Sequence, residues 1–173
     1  MPTLTPRQAL LIGFIVAPLL FGLSAYFTRA NRKRILAALL AALAFGLGNL
    51  LWDQLAFRVG WWSYPAFQDN NWWPVLYIPA GLVAGGAFGL IGWRVTRRYG
   101  RAGFVIFILI WSIWGIIHDF GGGAAFQSSN LMAFAPGPVP VIADGILYAT
   151  CQLAAQGILC LVAGPANADP LRT

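Results

Sequence analysis

The sequence contains no glutamate, one lysine (Lys33), one histidine (His118) and two cysteines. Only 9% of its 173 residues are charged, where a soluble domain carries about 25%. So few charges cannot cover a water-facing surface, which excludes a soluble globular domain and makes lipid the main solvent. With a single histidine, haem held by two histidines of one chain is excluded. No Cys-x-x-Cys, Walker loop, dinucleotide fingerprint or nucleophile elbow occurs. No ligand spacing supports a metal site, and no cofactor is implied. Cys151 and Cys160 fall on opposite sides of one predicted helix, too far apart for a disulfide.

What the chain has is apolar length, with 59% hydrophobic residues. Residues 9–27, 35–57, 75–93, 102–120 and 141–163 each approach the roughly 20 residues that a bilayer crossing needs. Backbone groups in lipid must be satisfied within the segment, so the spacing predicts helices. The expected fold is an all-α, polytopic transmembrane bundle of about five spans, forming a single integral membrane domain over residues 1–173.

The net charge of +6 does not point to nucleic acid, because the basic residues come in two bursts between apolar segments. Arg29, Arg32, Lys33 and Arg34 form one; Arg94, Arg97, Arg98 and Arg101 form the other. The positive-inside rule places both bursts and Arg172 in the cytoplasm. Arg7 and Arg58 are left outside, nine basic residues against two. The amino terminus is then outside and the carboxyl terminus cytoplasmic. A signal peptide has its positive end first; here the burst follows the first stretch, which reads as a retained helix. The expected location is a cell inner (cytoplasmic) membrane, multi-pass, with the lipid bilayer as first partner. A membrane-protein partner or homo-oligomer is also compatible.

Small residues recur at helical spacing. Gly81, Gly85 and Gly89 repeat every four residues, thickened by Gly86 and Gly92, and Ala38, Ala42 and Gly46 do the same in the second span. Such stripes let helix backbones approach closely.

The titratable groups gather at one membrane level, the outer one. Asp53 lies about one turn below the end of the second span. His118 and Asp119 end the fourth, and Asp144 opens the fifth as a capping or first-turn acid. Asp69 lies in the outer loop; only Asp169 is elsewhere. Asp53 and Asp119 sit at carboxyl-terminal helix ends, where the dipole opposes them, so another reason is needed for their presence. Asp53 either pairs with Arg58 at the surface or faces the bundle interior with Asn49, four residues earlier. Trp111, Trp114 and His118 share one helix face and read either as core packing or as an aromatic floor beneath an imidazole. Asp144, Tyr148, Gln152 and Gln156 form a polar stripe that must face protein or a cavity. Trp61, Trp62, Tyr64, Trp72, Trp73 and Tyr77 cluster at the outer interface, as an aromatic belt or a lid over a groove.

The run Trp52-Asp53, then Gly60-Trp61-Trp62-Ser63-Tyr64, then Pro74 through Tyr77-Ile78-Pro79, resembles the membrane domain of the heterodimeric lycopene cyclases. The likeness covers roughly the first three spans. It implies acid-initiated cyclisation of a polyene, with Asp53 matching that family's aspartate and Trp62 and Tyr64 its loop. Where the family has acids after the proline, this chain has Ala80 and Gly81, so either the proton would come from His118, Asp119 or Asp144, or the chain is a non-cyclising relative.

The expected function is an outer-facing aromatic and acidic pocket for an apolar, isoprenoid-like small molecule, with carotenoid or terpenoid cyclase- or isomerase-like chemistry. Asp53, His118, Asp119 and Asp144 are the catalytic candidates. Asn49, Trp62, Tyr64, Trp111, Trp114, Tyr148 and Gln152 are the substrate-binding candidates. The alternative is a non-catalytic membrane subunit or lipophile-binding protein, in which the same groups only hold helices together.

Overall fold

A computed structural model describes residues 6–65, 73–121 and 132–168. The chain is a bundle of helices: α1 (Pro6–Phe27), α2 (Arg32–Val59), α3 (Tyr77–Gly81), α4 (Phe88–Ile116) and α5 (Pro138–Ala163). Among the described residues, four helical stretches are long and apolar enough to cross a membrane. Large apolar side chains such as Leu11, Ile15, Leu19, Leu43 and Ile110 point outward. Outward leucines and isoleucines in such numbers suit lipid rather than water, and the protein is a membrane protein.

The local signals explain where the helices begin and end. Asn31 caps α2, its side chain accepting from the Arg34 N–H at 2.8 Å. Gly60 ends it in a left-handed conformation (φ 79°) and returns its N–H to the Ala56 carbonyl. α5 starts at Pro138, three residues before the expected boundary, with proline in its first turn. Asp144 is therefore well inside α5 rather than in its first turn, and the helix dipole no longer accounts for it.

The third and fourth expected spans follow each other without a break over residues 74–120 and meet at a kink rather than at a loop over the arginines. Their core is α3, a π-helical stretch (Leu82–Ala87), α4 and a second π-helical turn (Ile117–Gly121). Only Gly100 leaves the helical region, at φ 62° and ψ −146°. In a straight helix Phe88 and Trp111 would be about 35 Å apart. Their ring centroids are 4.5 Å apart, so the chain doubles back at Gly100 into a hairpin of two packed limbs. That backbone conformation is open essentially to glycine alone. Gly100→Ala should therefore destabilise the protein by about 1–3 kcal/mol, although nothing stands within 4 Å of the added Cβ. A melting temperature in detergent equal to wild type would contradict this.

α2 and α5 form the central pair, and α4 packs on α5. The small-residue stripes meet as expected. A Cβ added at Gly85 would lie 2.5 Å from the Ala41 carbonyl oxygen and from Phe45 Cβ, and one at Gly81 would lie 2.5 Å from the Ala42 oxygen. A two-stranded antiparallel ladder then ties the two connecting segments at one end of the bundle. It pairs β1 (Trp62–Ser63) with β2 (Ala133–Phe134), Trp62 opposite Phe134.

Candidate functional site

The ladder closes over a cavity of about 300 Å³. Asp53 reaches it from α2, Asp144 and Tyr148 from α5, and His118 and Asp119 from the π-helical turn that ends the hairpin. Trp62 and Tyr64 come from the connecting segment after α2, and Tyr77 from α3. The four expected catalytic residues thus line one cavity, together with Asn49, Trp62, Tyr64 and Tyr148.

Asp53 is 1% exposed and makes no surface pair with Arg58. Its Oδ1 accepts from the Trp62 indole N–H at 2.7 Å. Its Oδ2 accepts from the hydroxyl of Tyr64 at 3.1 Å and from that of Tyr77. Three donors aimed at one carboxyl group suit a carboxylate, which only accepts. Burial, followed by the negative charges of Asp53 and Asp119, holds the Tyr64 phenol well above its ordinary range. Tyr64 is therefore a proton-bearing donor at any ordinary pH.

A second network stands beside the first. His118 Nδ1 and Asp119 Oδ1 are 2.5 Å apart, and the Tyr148 hydroxyl donates to Asp119 Oδ2 at 3.0 Å. Asp144 stands next to Asp119 and is 1% exposed, yet its Oδ2 has no hydrogen-bond partner. A buried polar atom left unpaired costs about 1–3 kcal/mol. Asp144 is thus the one carboxyl group here with an oxygen not committed to the protein's own network.

Trp111, Trp114 and Gln152 do not line the cavity, contrary to expectation. One side chain accounts for the two tryptophans. The Tyr148 ring lies where a side chain at residue 115 would be, and glycine there lets it cross the helix. Tyr148 meets Trp111 and Trp114 edge-on at centroid distances of 6.0 and 6.5 Å. Gln152, one turn further along α5, is fully buried away from the cavity. The two tryptophans instead stack in a column that ends at His118, with Trp111–Trp114 and Trp114–His118 centroids each 4.9 Å apart. The imidazole of His118 thus lines the cavity, while the aromatic floor on which it stacks lies outside it.

No protein-family model, curated protein or solved structure matches this chain.

Leu76, Tyr77, Ala80, Met132 and Leu147 also line the cavity and were not expected there. Tyr77 had a readable signal, a phenol opening the third helix at the level of Asp53. The apolar members carry no such mark. Trp62 is 3% exposed and hydrogen-bonded to Asp53, so it belongs to the interior rather than to an aromatic belt. Asp69, Trp72 and Asp169 lie outside the described residues.

Proposed function

We propose that the chain crosses a cytoplasmic-type inner membrane five times, with the carboxyl-lined cavity at the outer face. There it moves protons to and from the carbon skeleton of an apolar, isoprenoid-like substrate. The observation that carries this reading is the unpartnered, buried Oδ2 of Asp144, in one cavity with a histidine–aspartate pair and a triply hydrogen-bonded aspartate. Apolar Leu76, Ala80, Met132 and Leu147 complete the walls, as an uncharged hydrocarbon end group requires.

The chemistry balances without an oxidant. Asp144, carrying a proton, gives it to a carbon–carbon double bond, whose π pair forms the new C–H bond and leaves a cation on the adjacent carbon. A neighbouring double bond closes on that cation, or the cation shifts. With Nδ1–H donated to Asp119, His118 Nε2 holds a lone pair and takes a proton from the next carbon. That C–H pair becomes the new double bond. Asp119, between His118 and Asp144, passes the Nδ1 proton on to Asp144, and the imidazole, 43% exposed, regains its starting tautomer by exchange with solvent. Asp53 and the faces of Trp62 and Tyr64 stabilise the transient positive charge. The product is an isomer of the substrate.

The direct test uses lycopene as probe, given the resemblance of the Asp53 to Pro79 region to the lycopene cyclase membrane domain. Purified protein in lipid nanodiscs is incubated with lycopene in D2O, and the products are separated and weighed. Ring-bearing or double-bond isomers carrying deuterium are expected. Unchanged, unlabelled lycopene that nevertheless co-purifies with the protein would favour the second reading, a lipophile-binding protein without chemistry. That reading draws support from Asp53 and Tyr148, whose hydrogen bonds are already satisfied within the protein.

Topology has its own test. In a background without Cys151 and Cys160, Ser63→Cys should react with a membrane-impermeant maleimide added outside intact cells. Tyr99→Cys, exposed beside the hairpin turn, should react only after the cells are opened. The reverse pattern would invert the bundle and place the cavity on the inner side.

A further inference from the structure

In a membrane interior a buried polar group without a partner is costly, because lipid offers it none. Along α5, Tyr148, Gln152 and Gln156 recur every four positions and share one face. Two of them bond to the hairpin directly. The Tyr148 hydroxyl donates to Asp119 Oδ2 at 3.0 Å, and Gln156 Nε2 donates to the Gly89 carbonyl at 2.9 Å. Gln152 stands between them and is fully buried, yet neither its Oε1 nor its Nε2 has a hydrogen-bond partner.

The opposite helix supplies a second unpaired group. The second limb of the hairpin runs toward the carboxyl-lined cavity and α5 runs away from it, so the two are antiparallel. Their levels match in steps of four. A Cβ added at Gly115 would run into the Tyr148 ring, and one at Gly92 into both Phe107 and Gln156. Residue 115 is thus level with 148, and 107 with 156. Trp111 and Gln152 fall midway on their two helices. Trp111 is 3% exposed, and its indole N–H has no acceptor.

A donor and an acceptor at level positions of packed helices would ordinarily pair. These do not, although packed helix axes are only about 8–10 Å apart. A water molecule, which accepts and donates at once, spans such a gap. Buried waters typically make about three hydrogen bonds to groups otherwise unpaired. Trp111 Nε1–H, Gln152 Oε1 and Gln152 Nε2–H are such groups. An apolar ligand would satisfy none of them, and an ion would meet only neutral partners.

We propose that water binds between Trp111 and Gln152, in the middle of the bundle. One molecule accepts the Trp111 N–H and donates to Gln152 Oε1. A second, bonded to the first, accepts from Gln152 Nε2. Tyr148 lines the carboxyl-lined cavity, and Gln156 lines another of about 660 Å³ further along α5. The bound water fills the step between them, so that α5 is hydrogen-bonded to the hairpin at three successive turns. It enters no step of the chemistry proposed above, and either proposal can fail alone.

The test uses the full chain in lipid nanodiscs, with isotopically labelled indole nitrogens. Magnetisation transfer from water to the indole protons is read by NMR. The Trp111 signal is the one lost in Trp111→Phe, or the one in contact with Phe88 should that variant not fold. Transfer to the Trp111 proton is expected in wild type. Gln152→Leu, apolar and of similar size, should abolish it, because the amide that holds the water is gone. Melting temperatures supply a second reading. Trp111→Phe and Gln152→Leu should each melt below wild type, and the double variant no lower than Trp111→Phe, since either change alone breaks the bridge. Three results would each overturn the proposal: no transfer in wild type, undiminished transfer in Gln152→Leu, or a Gln152→Leu protein that melts above wild type, as removal of a dry, unpaired amide would give. Single-variant shifts that add in the double variant would overturn it too.

Discussion

Asp144→Asn should stop deuterium transfer from solvent into the substrate and leave the bundle folded. The substitution keeps the shape of the side chain and removes its only transferable proton. A positioned general acid contributes about 10²–10⁴-fold to rate, so the loss should be at least that large. Stability should move the other way, or not at all. Asp144 is buried with one oxygen unpartnered, beside the carboxyl group of Asp119. Asparagine is neutral, as the protonated acid is, and its amide N–H can take the place of the acid's O–H beside Asp119. The melting temperature in detergent should therefore equal or exceed that of wild type. A folded Asp144→Asn protein that still delivers deuterium at the wild-type rate would remove Asp144 from the mechanism and leave His118 as the remaining proton donor.

What could be read from the sequence follows from the solvent. In a chain with so few polar residues, each one within an apolar stretch has a strong reason to face inward, whatever the details of packing. Asp53, Asp144 and Tyr148 were legible for that reason, as was the joint delivery of His118 and Asp119 to one level. The glycine stripe was legible because close backbone approach leaves a four-residue period in the sequence. The narrowing of the turn between the third and fourth spans to the single residue Gly100 was not. The basic residues of 94–101 read as a loop, yet all but Gly100 are helical, since arginine is a good helix former and reaches the membrane surface from a helix end. The pairing of Trp62 with Phe134 was also hidden. A two-residue strand has no periodicity to detect, and its partner lies 72 positions away. The misplacement of Trp111 and Trp114 has a tertiary cause. Helical spacing puts them on the face of His118, but the ring of Tyr148, over Gly115 and edge-on to both, stands against them.

Gly85→Leu should prevent the bundle from assembling. The position is buried, and even a single added carbon would sit 2.5 Å from both the Ala41 carbonyl oxygen and Phe45 Cβ, and 3.0 Å from the Ala41 carbonyl carbon. Two of these three atoms are backbone, so no rotamer change relieves the contact; α2 and the Leu82–Ala87 segment must move apart. Overpacking in a close-packed interior costs about 1–3 kcal/mol for a few added methylenes, and more where backbone must shift. The separation would also carry Tyr77, on the helix just before this segment, away from its hydrogen bond to Asp53. Both the fold and the carboxyl-lined cavity therefore depend on this glycine. Gly22 supplies the control. It lies in α1 with nothing within 4 Å of an added Cβ, and Gly22→Ala should be neutral or stabilise by roughly 0.5–1 kcal/mol through helix propensity. Thermal unfolding in detergent should separate the two variants clearly. If Gly85→Leu melts with wild type, α2 and the Leu82–Ala87 segment are not in backbone contact, and the packing that positions Tyr77 against Asp53 must be abandoned.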